Sequence, residues 1–161
     1  MLNTNCMRLT KVFLLSALLA GGVAMNSCSN KVDVTVVSKP GLAMDGNQLV
    51  PAKTVSASGV LDVEYNKDLR TLYYKVSFTN LSGAPTSIGV YGTAKKGFSA
   101  GNTALQNFTT ALPAGTTGTY VNSLFIDGIA LTESALFSGE YYVMIKTAAN
   151  TTGEIRGQVE F

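Results

Sequence analysis

Apolar and polar residues alternate along much of the chain after residue 31, with the period of two that is typical of β-strands. The clearest stretch is residues 71–79, where Leu72, Tyr74, Val76 and Phe78 fall on one face and mainly polar side chains fall on the other. This alternation predicts a strand that is buried on one side.

The same criteria predict strands at residues 32–38, 59–65, 87–91, 120–127, 141–146 and 154–161, and a short strand near Phe108 inside a loop-rich segment from residue 92 to 118. Residues 132–137 are predicted to form one or two helical turns, with Thr132 as the N-cap and Gly139 ending the helix. Seven or eight short strands at this spacing predict one all-β domain, built as an antiparallel sandwich or barrel.

The first 27 residues have the build of a secretory signal peptide. Arg8 and Lys11 precede an apolar run at residues 12–23, and no acidic residue lies before that run. At roughly 1.5 Å per helical residue, the run is too short to span a hydrocarbon core of about 30 Å comfortably. We therefore expect residues 1–27 to be removed on export.

Cys28 follows the apolar run within the segment AMNSCSN, residues 24–30. This arrangement resembles the lipobox of bacterial lipoproteins, and the resemblance implies that Cys28 is acylated, with palmitate among the chains, and becomes the first mature residue. Cys6 lies in the removed segment, so no intramolecular disulfide can form after processing. The alternative is ordinary signal cleavage, with Cys28 left as a stray thiol. The lipoprotein interpretation predicts attachment to a membrane through Cys28, in the cell envelope, at the outer membrane or cell surface rather than the inner membrane.

Composition and charge narrow the function classes. The chain has no His, which removes most routes to a zinc or copper site and every nucleophile activated by His. Removal of Arg8 and Lys11 leaves equal numbers of basic and acidic side chains, so no basic patch indicates nucleic acid as a partner. We expect no cofactor. The exported part is long enough for one domain only.

The C-terminal segments GEYYVMIKT (residues 139–147) and GEIRGQ (Gly153, Glu154, Ile155, Arg156, Gly157 and Gln158) carry a family resemblance. They resemble the CHRD domain, named from chordin and found in bacterial exported proteins, whose signature is "G-x-Y-Y-V-x-V-H-T" followed by "G-E-I-R-G-Q". Residues 72–76 and 131–132 match further family positions. The resemblance spans residues 48–161 and leaves residues 28–47 as an anchor and linker with room for a first strand.

The resemblance implies a Greek-key β-sandwich, immunoglobulin-like or similar to superoxide dismutase, and a binding or structural module without an established reaction. In chordin such domains belong to a scaffold that engages protein ligands, so an envelope or extracellular protein is the implied partner. Many bacterial members carry "H-I-H-G" where this chain has Gly89, Val90, Tyr91 and Gly92, and Lys146 replaces the last His. We therefore predict that this chain holds no metal.

Two enzymatic alternatives remain at this stage: a degenerate metalloprotein similar to superoxide dismutase, and a hydrolase using carboxylates such as Asp62 and Glu64. A calcium loop at Asp45 is weaker, because EF-hand spacing is absent. Convergence of tyrosine and acidic side chains in a concave pocket would favour an enzyme, and a flat surface would favour binding.

The last predicted strand presents two faces. Ile155, Val159 and Phe161 are expected to point into the core, with Glu154, Arg156, Gln158 and Glu160 on the other face. Arg156 then has two interpretations: an anion-binding residue, or a structural guanidinium in a local charge network with the neighbouring Glu residues. The tyrosines have two interpretations as well, an exposed platform for a sugar or protein formed by Tyr73, Tyr91 and Tyr141, or ordinary packing.

Overall fold

A computed structural model describes residues 35–101 and 103–161, so the predicted signal peptide and Cys28 lie outside the described residues. The strands are β1 (Val36–Asp45), β2 (Ser58–Asn66), β3 (Thr71–Thr79), β4 (Pro85–Tyr91), β5 (Gln106–Phe108), β6 (Gly118–Phe125), β7 (Tyr142–Thr147) and β8 (Ile155–Gln158). A 3-10 turn, Gly46–Gln48, follows β1, and α1 is Glu133–Phe137. Within the described ranges, no helix has the length and apolar character needed to span a membrane.

The eight strands form one antiparallel sheet in the order β5-β4-β7-β8-β1-β2-β3-β6. The last strand returns to lie beside the first, as a Greek-key connection requires. The sheet curls so strongly that its two edge strands, β5 and β6, approach each other. The ring centroids of Phe108 on β5 and Tyr120 on β6 are 5.9 Å apart. The prediction of an all-β antiparallel sandwich or barrel is confirmed.

The main core fills the inside of this curled sheet. The alternation predicted for β3 is observed, since its inward residues are buried and Lys75 and Thr79 are exposed. The other half of the sheet contributes apolar residues from β4, β7 and β8, among them Ile88, Val90, Val143, Ile145 and Ile155. Val159 is buried in the core and Phe161 packs against it, as predicted.

β1 runs from Val36 to Asp45 and so continues beyond Ser38, the end of the predicted strand at residues 32–38, whose residues 32–34 lie outside the described ranges. Its register with β2 shifts between Lys39 and Leu42, where Pro40 cannot donate to the ladder and Gly41 adopts a φ of 78°. Pro and Gly interrupt the alternation in the sequence, but a bulge lets the strand continue past them.

The predicted helix is confirmed. The Thr132 hydroxyl accepts a hydrogen bond from the Ala135 amide at 3.2 Å, and Gly139 follows the helix with a φ of 66°. The last strand is shorter than predicted and stops at Gln158.

A second, smaller apolar layer covers the outer face of β4, β7 and β8. Tyr91, Tyr142 and Met144 are buried there against Leu49 and Ala94. Residues 92–101 and 103–105 cross this face, with Ala100 and Ala104 packed against the layer. Both faces of the C-terminal hairpin are therefore buried, and this layer positions the candidate site.

Candidate binding site

The GEIRGQ motif begins in the turn before β8 and continues along that strand. Gly153 has a φ of 126°, a conformation that residues with a Cβ rarely adopt. Gly157 lies where β1 approaches most closely, since a Cβ there would collide with Met44 and meet the Ala43 carbonyl oxygen at 3.2 Å. The two glycines thus allow β8 to pack against β7 and β1.

Glu154 is buried and fixes the loop that follows β3. Its carboxylate accepts hydrogen bonds from the Ser82 amide at 2.6 Å, the Ser82 hydroxyl at 2.7 Å and the Thr147 hydroxyl at 2.6 Å. Burial alone would raise the pKa of Glu154, but these hydrogen bonds outweigh burial and hold the pKa below its usual value. Glu154 is therefore not the partner of Arg156, and the predicted charge network between them is wrong.

Gln158 ties three loops to the end of β8. Its side-chain amide donates to the carbonyl oxygens of Gly139 at 2.7 Å, Ala94 at 3.0 Å and Tyr141 at 3.0 Å. Its backbone amide donates to the Gln48 side chain at 3.2 Å. Glu154, Arg156 and Gln158 were expected on a face turned away from the core, but all three are buried, because the loops that they bind cover that face.

Arg156 is only 1% exposed and stacks on Tyr142, with its guanidinium carbon 3.6 Å from the ring centroid. Its Nη atoms donate to the Phe98 carbonyl at 2.6 Å, the Gln158 side chain at 2.6 Å and the Lys95 carbonyl at 3.4 Å. All three acceptors are neutral. The Nε atom is buried and has no hydrogen-bond partner among the described residues. Burial lowers the pKa of Arg156, and Tyr142 raises it by less.

Arg156 ends a column of four stacked side chains. Tyr142 stacks on Tyr91 with 5.4 Å between ring centroids and 12° between the planes, and the Lys146 ammonium lies 5.3 Å from the Tyr91 centroid. Cations at both ends of two stacked rings are held by cation–π attraction.

Tyr91 and Lys146 of this column, and Gly89 beside them on β4, stand at the positions where the family resemblance implies His. The residues do not fit a transition metal, because Gly89 has no side chain and Lys146 adds a positive charge. Burial, with a smaller effect of Tyr142, raises the pKa of Tyr91 to about 12, so its phenol stays protonated. No group of three or more His, Cys, Asp or Glu side chains suited to a metal occurs in the described ranges.

A cavity of about 240 Å³ opens beside Arg156, and we call it the motif pocket. Tyr142, Met144 and Arg156 belong to its lining, together with residues of three loops: Leu49, Val50, Pro51, Lys53, Ser99, Gly101 and Thr152. The Lys53 ammonium donates to the Gly153 carbonyl at 2.9 Å and to the Thr152 hydroxyl at 3.1 Å. The motif pocket therefore brings two positive charges together, and no described residue of its lining is acidic.

Asp45 is the carboxylate placed directly opposite Arg156 in the strand pairing. Its side chain accepts a hydrogen bond from the Gln48 amide at 3.1 Å and caps the 3-10 turn, so it serves its own loop. No ion pair of Arg156 occurs among the described residues. Asp45, whose place in a turn led us to consider a calcium loop, therefore acts as the cap of that turn.

A second, more open groove of about 460 Å³ lies on the outer face of β2 and β3 and contains Asp62, Glu64, Tyr73 and Lys75. Asp62 pairs with the Lys75 ammonium at 2.7 Å and accepts a hydrogen bond from the Gly41 amide at 2.9 Å. The bond from Lys75, followed by that from Gly41, lowers the pKa of Asp62. The general acid of a glycosidase needs a raised pKa, so this groove gives little support to the hydrolase alternative.

Of the two interpretations of the tyrosines, ordinary packing is confirmed for Tyr91 and Tyr141, and the three rings form no exposed platform. Tyr91 and Tyr141 are fully buried, whereas Tyr73 is 40% exposed on another part of the sheet. Tyr141 accepts a hydrogen bond from the Thr132 amide at 2.8 Å, so its hydroxyl fixes the start of α1. Sequence reasoning also missed Lys53, because no local pattern reports contacts with residues about a hundred positions away.

Comparisons with known proteins give one family. The CHRD domain model matches residues 42–159, which include the motif pocket, the stacked column and all eight strands except the first residues of β1. No curated protein and no solved structure gives a significant match. A CHRD domain suggests an extracellular binding or structural module. On the strength of this match, the chain belongs to the CHRD domain family.

Proposed function

We propose that this protein is a lipid-anchored component of the cell envelope whose CHRD domain binds a protein partner and is not an enzyme. We propose further that the motif pocket receives a carboxylate of that partner. The observation that carries this proposal is the buried guanidinium of Arg156, which has a free Nε donor, only neutral acceptors and a second cation nearby.

Electrostatics favours an anion at this place. A buried charge is costly unless it is paired, and proteins normally pair it with an opposite charge or with hydrogen bonds. The stacking on Tyr142 offsets part of this cost. A carboxylate would add the missing opposite charge and accept the Nε hydrogen, and Arg is suited to carboxylates because its donors lie in one plane.

The size of the motif pocket limits what can enter it. About 240 Å³ is smaller than a typical small-molecule site, so the pocket fits one terminal or side-chain carboxylate with a short apolar group rather than a large ligand. Leu49, Val50 and Met144 supply the apolar part of the lining. This combination fits the C-terminus or an acidic side chain of a partner protein.

The anchor part of the proposal rests on Cys28 and on its distance from the domain. Six residues lie between Cys28 and Thr35, and the seven extended steps that join these two residues span at most about 25 Å. Acylation at Cys28 would therefore keep the domain close to the membrane surface. The motif pocket adjoins Asp45, the last residue of β1, whereas the chain enters the domain at the first residue of that strand.

Nuclear magnetic resonance of the Arg156 side chain tests the pocket directly. We expect the Nε–H signal of ¹⁵N-labelled mature protein in detergent to shift and saturate on titration with sodium acetate, but not with sodium chloride at the same ionic strength. Arg156→Lys identifies this signal by removing it. Lys53→Gln should raise the Kd for acetate at least about tenfold, equivalent to ~1.4 kcal/mol, whereas Lys39→Gln on the exposed part of β1 should leave it unchanged.

An Nε–H signal that responds equally to both salts, or to neither, would contradict the carboxylate assignment. The carboxylate assignment is also contradicted if Lys53→Gln and Lys39→Gln both bind acetate with the wild-type Kd. Lys53→Gln keeps Arg156 in place, so the comparison stays informative even if Arg156→Lys fails to fold.

A further inference from the structure

The chain enters the domain beside the turn that joins β2 to β3. The Lys67 amide donates to the Thr35 carbonyl at 2.8 Å, and Val36 pairs with Asn66 in the sheet. The covalent link from Cys28 therefore arrives at this end of the barrel. We call this end the tether end and define it by the turn at residues 67–70, the loop at residues 125–129 and Phe137.

The three parts of the tether end are in direct contact. Phe125 pairs with Thr71 at the end of β6, and the Ile126 amide donates to the Arg70 carbonyl at 2.8 Å. The Lys67 ammonium lies 5.6 Å from the centroid of the Phe137 ring. The turn, the loop and α1 thus form one continuous surface.

Large apolar side chains project from this surface. Ile129 is 89% exposed, and Leu69 and Phe125 are each 57% exposed. Single exposed apolar residues are common, but three on two adjoining loops form a patch of the kind that marks an interaction site. Phe137, 40% exposed, extends the patch.

The loop that carries Ile129 is held in shape. The Asp127 carboxylate accepts hydrogen bonds from the amides of Ile129 at 2.7 Å and Leu131 at 2.9 Å. Arg70 lies 5.6 Å from the centroid of the Phe125 ring. The apolar side chains are therefore presented by an ordered loop. The charged residues at their edge carry both signs, with the cations Lys67 and Arg70 beside the carboxylates of Asp68 and Asp127.

We propose that the tether end lies against the membrane that holds acylated Cys28, with Leu69, Phe125 and Ile129 in the interfacial layer. The inference rests on the proposed anchoring at Cys28. The chain from acylated Cys28 joins the domain beside this apolar patch. Because that chain spans at most about 25 Å, it keeps the patch close to the membrane surface and so at a high effective concentration for membrane contact. Side chains of this kind enter the boundary between headgroups and acyl chains, while Lys and Arg stay at the headgroups. A membrane is therefore favoured over a soluble protein as the occupant.

This placement has a consequence for ligand binding. β1 starts at the tether end with Val36 and runs for roughly 30 Å, at about 3.3 Å per residue, to Asp45 beside Arg156. With the tether end on the membrane, the motif pocket lies at the other end of the strand and stays accessible to a partner.

An environment-sensitive fluorophore tests the contact. The sequence has two Cys, Cys6 and Cys28, and acylation consumes the Cys28 thiol, so an added Cys can be labelled alone in the processed lipoprotein. NBD on Ile129→Cys is compared with NBD on Thr117→Cys, an exposed site beside Gly118 at the opposite end of β6. The full mature protein is placed in vesicles of phosphatidylethanolamine and phosphatidylglycerol.

We expect the Ile129 probe to shift to the blue and to be quenched by spin-labelled lipids, while the Thr117 probe emits as in water. Leu69→Cys supplies a second probe on the other loop and should behave like Ile129→Cys. Protein that floats with the vesicles but gives emission typical of water at both tether-end probes would overturn this inference and leave the anchoring intact. Protein that fails to float, with label on Cys28, would overturn the anchoring and this inference with it.

Discussion

Gly157 has almost no free space around its Cα, because β1 passes beside it at Ala43 and Met44. Replacing Gly157 with Ala should therefore force β1 and β8 apart and lower the free energy of unfolding by about 1–3 kcal/mol, as overpacking usually does. Denaturant unfolding of the two proteins measures this difference.

Gly83→Ala is the matched control, because a Cβ at that position meets no atom within 4 Å. Its free energy of unfolding should stay within about 0.5 kcal/mol of wild type or rise slightly. Equal effects of the two substitutions would show that close packing is not why Gly157 is needed.

Glu154 makes stability depend on acid pH. Its pKa is lower in the folded protein than in the unfolded chain, so its ionised form stabilises the fold above its unfolded pKa of about 4.3, and this contribution disappears as the pH falls through the folded value. Glu154→Gln should cost roughly 1.5–3 kcal/mol at neutral pH, the usual value of hydrogen bonds to a charged group. The difference from wild type should shrink as the pH falls through the lowered folded pKa of Glu154.

Thermal unfolding followed by circular dichroism across this pH range measures the effect. Glu64→Gln, at an exposed position of β2, provides the control and should leave the pH profile unchanged. A constant difference between Glu154→Gln and wild type at all pH values would mean that the carboxylate charge contributes nothing.

Individual side chains were the least predictable part of this sequence. Alternation correctly placed Ile155 and Val159 in the core, because that inference needs only a strand with one face inward. Alternation also suggested that Arg156 and Gln158 lie on an open face, yet residues 92–101 and 103–105 cover them. Coverage by a distant loop leaves no periodic signal in a strand, so neither the buried guanidinium nor the motif pocket could be predicted from the sequence.

At the scale of elements, β8 connects the two halves of the sheet. It pairs with β7 on one side and β1 on the other, and so joins β5-β4-β7 to β1-β2-β3-β6. Deleting residues 153–161 should abolish cooperative unfolding, because each large apolar side chain lost from the core is worth about 1.5–3 kcal/mol and a domain holds only about 5–15 kcal/mol.

Differential scanning calorimetry of the truncated protein measures this cooperativity. A sharp transition near the wild-type midpoint would show that the C-terminal segment is peripheral. Lys96→Ala is a suitable comparison, because the exposed Lys96 side chain belongs to neither apolar layer and its loss should leave the transition cooperative.

Elements were predicted well where local chemistry dominates. Thr132 lies at the start of α1 and Gly139 follows its end, as predicted, because a hydroxyl cap and a glycine with positive φ act within one turn of the helix. The end of β1 was misplaced because Pro40 and Gly41 break the pattern, whereas its pairing with β2 over the full length of that strand overrides them. The order of the strands depends on long-range pairing and was not predicted; the family resemblance implied only the Greek-key class.

At the scale of the whole molecule, the domain has two chemically different ends. Leu69, Phe125 and Ile129 form an exposed apolar patch at the end where the chain enters. The cationic motif pocket, with the exposed side chains of Val50 and Phe98 beside it, lies near the other end of β1. This arrangement gives the proposed anchor and the proposed binding site separate surfaces, so that one domain can rest on a membrane and bind a partner at the same time.

Attachment to a membrane through Cys28 underlies both the proposed function and the placement of the tether end, and replacing Cys28 with Ser tests this attachment. We predict that the wild-type protein fractionates with membranes and that mass spectrometry finds a mature N-terminus at residue 28 with more than one acyl chain, because a single chain binds membranes only marginally. Cys28→Ser should move the protein to the soluble fraction with its fold intact. A wild-type protein that is exported and soluble, with an unmodified thiol at Cys28, would contradict the account.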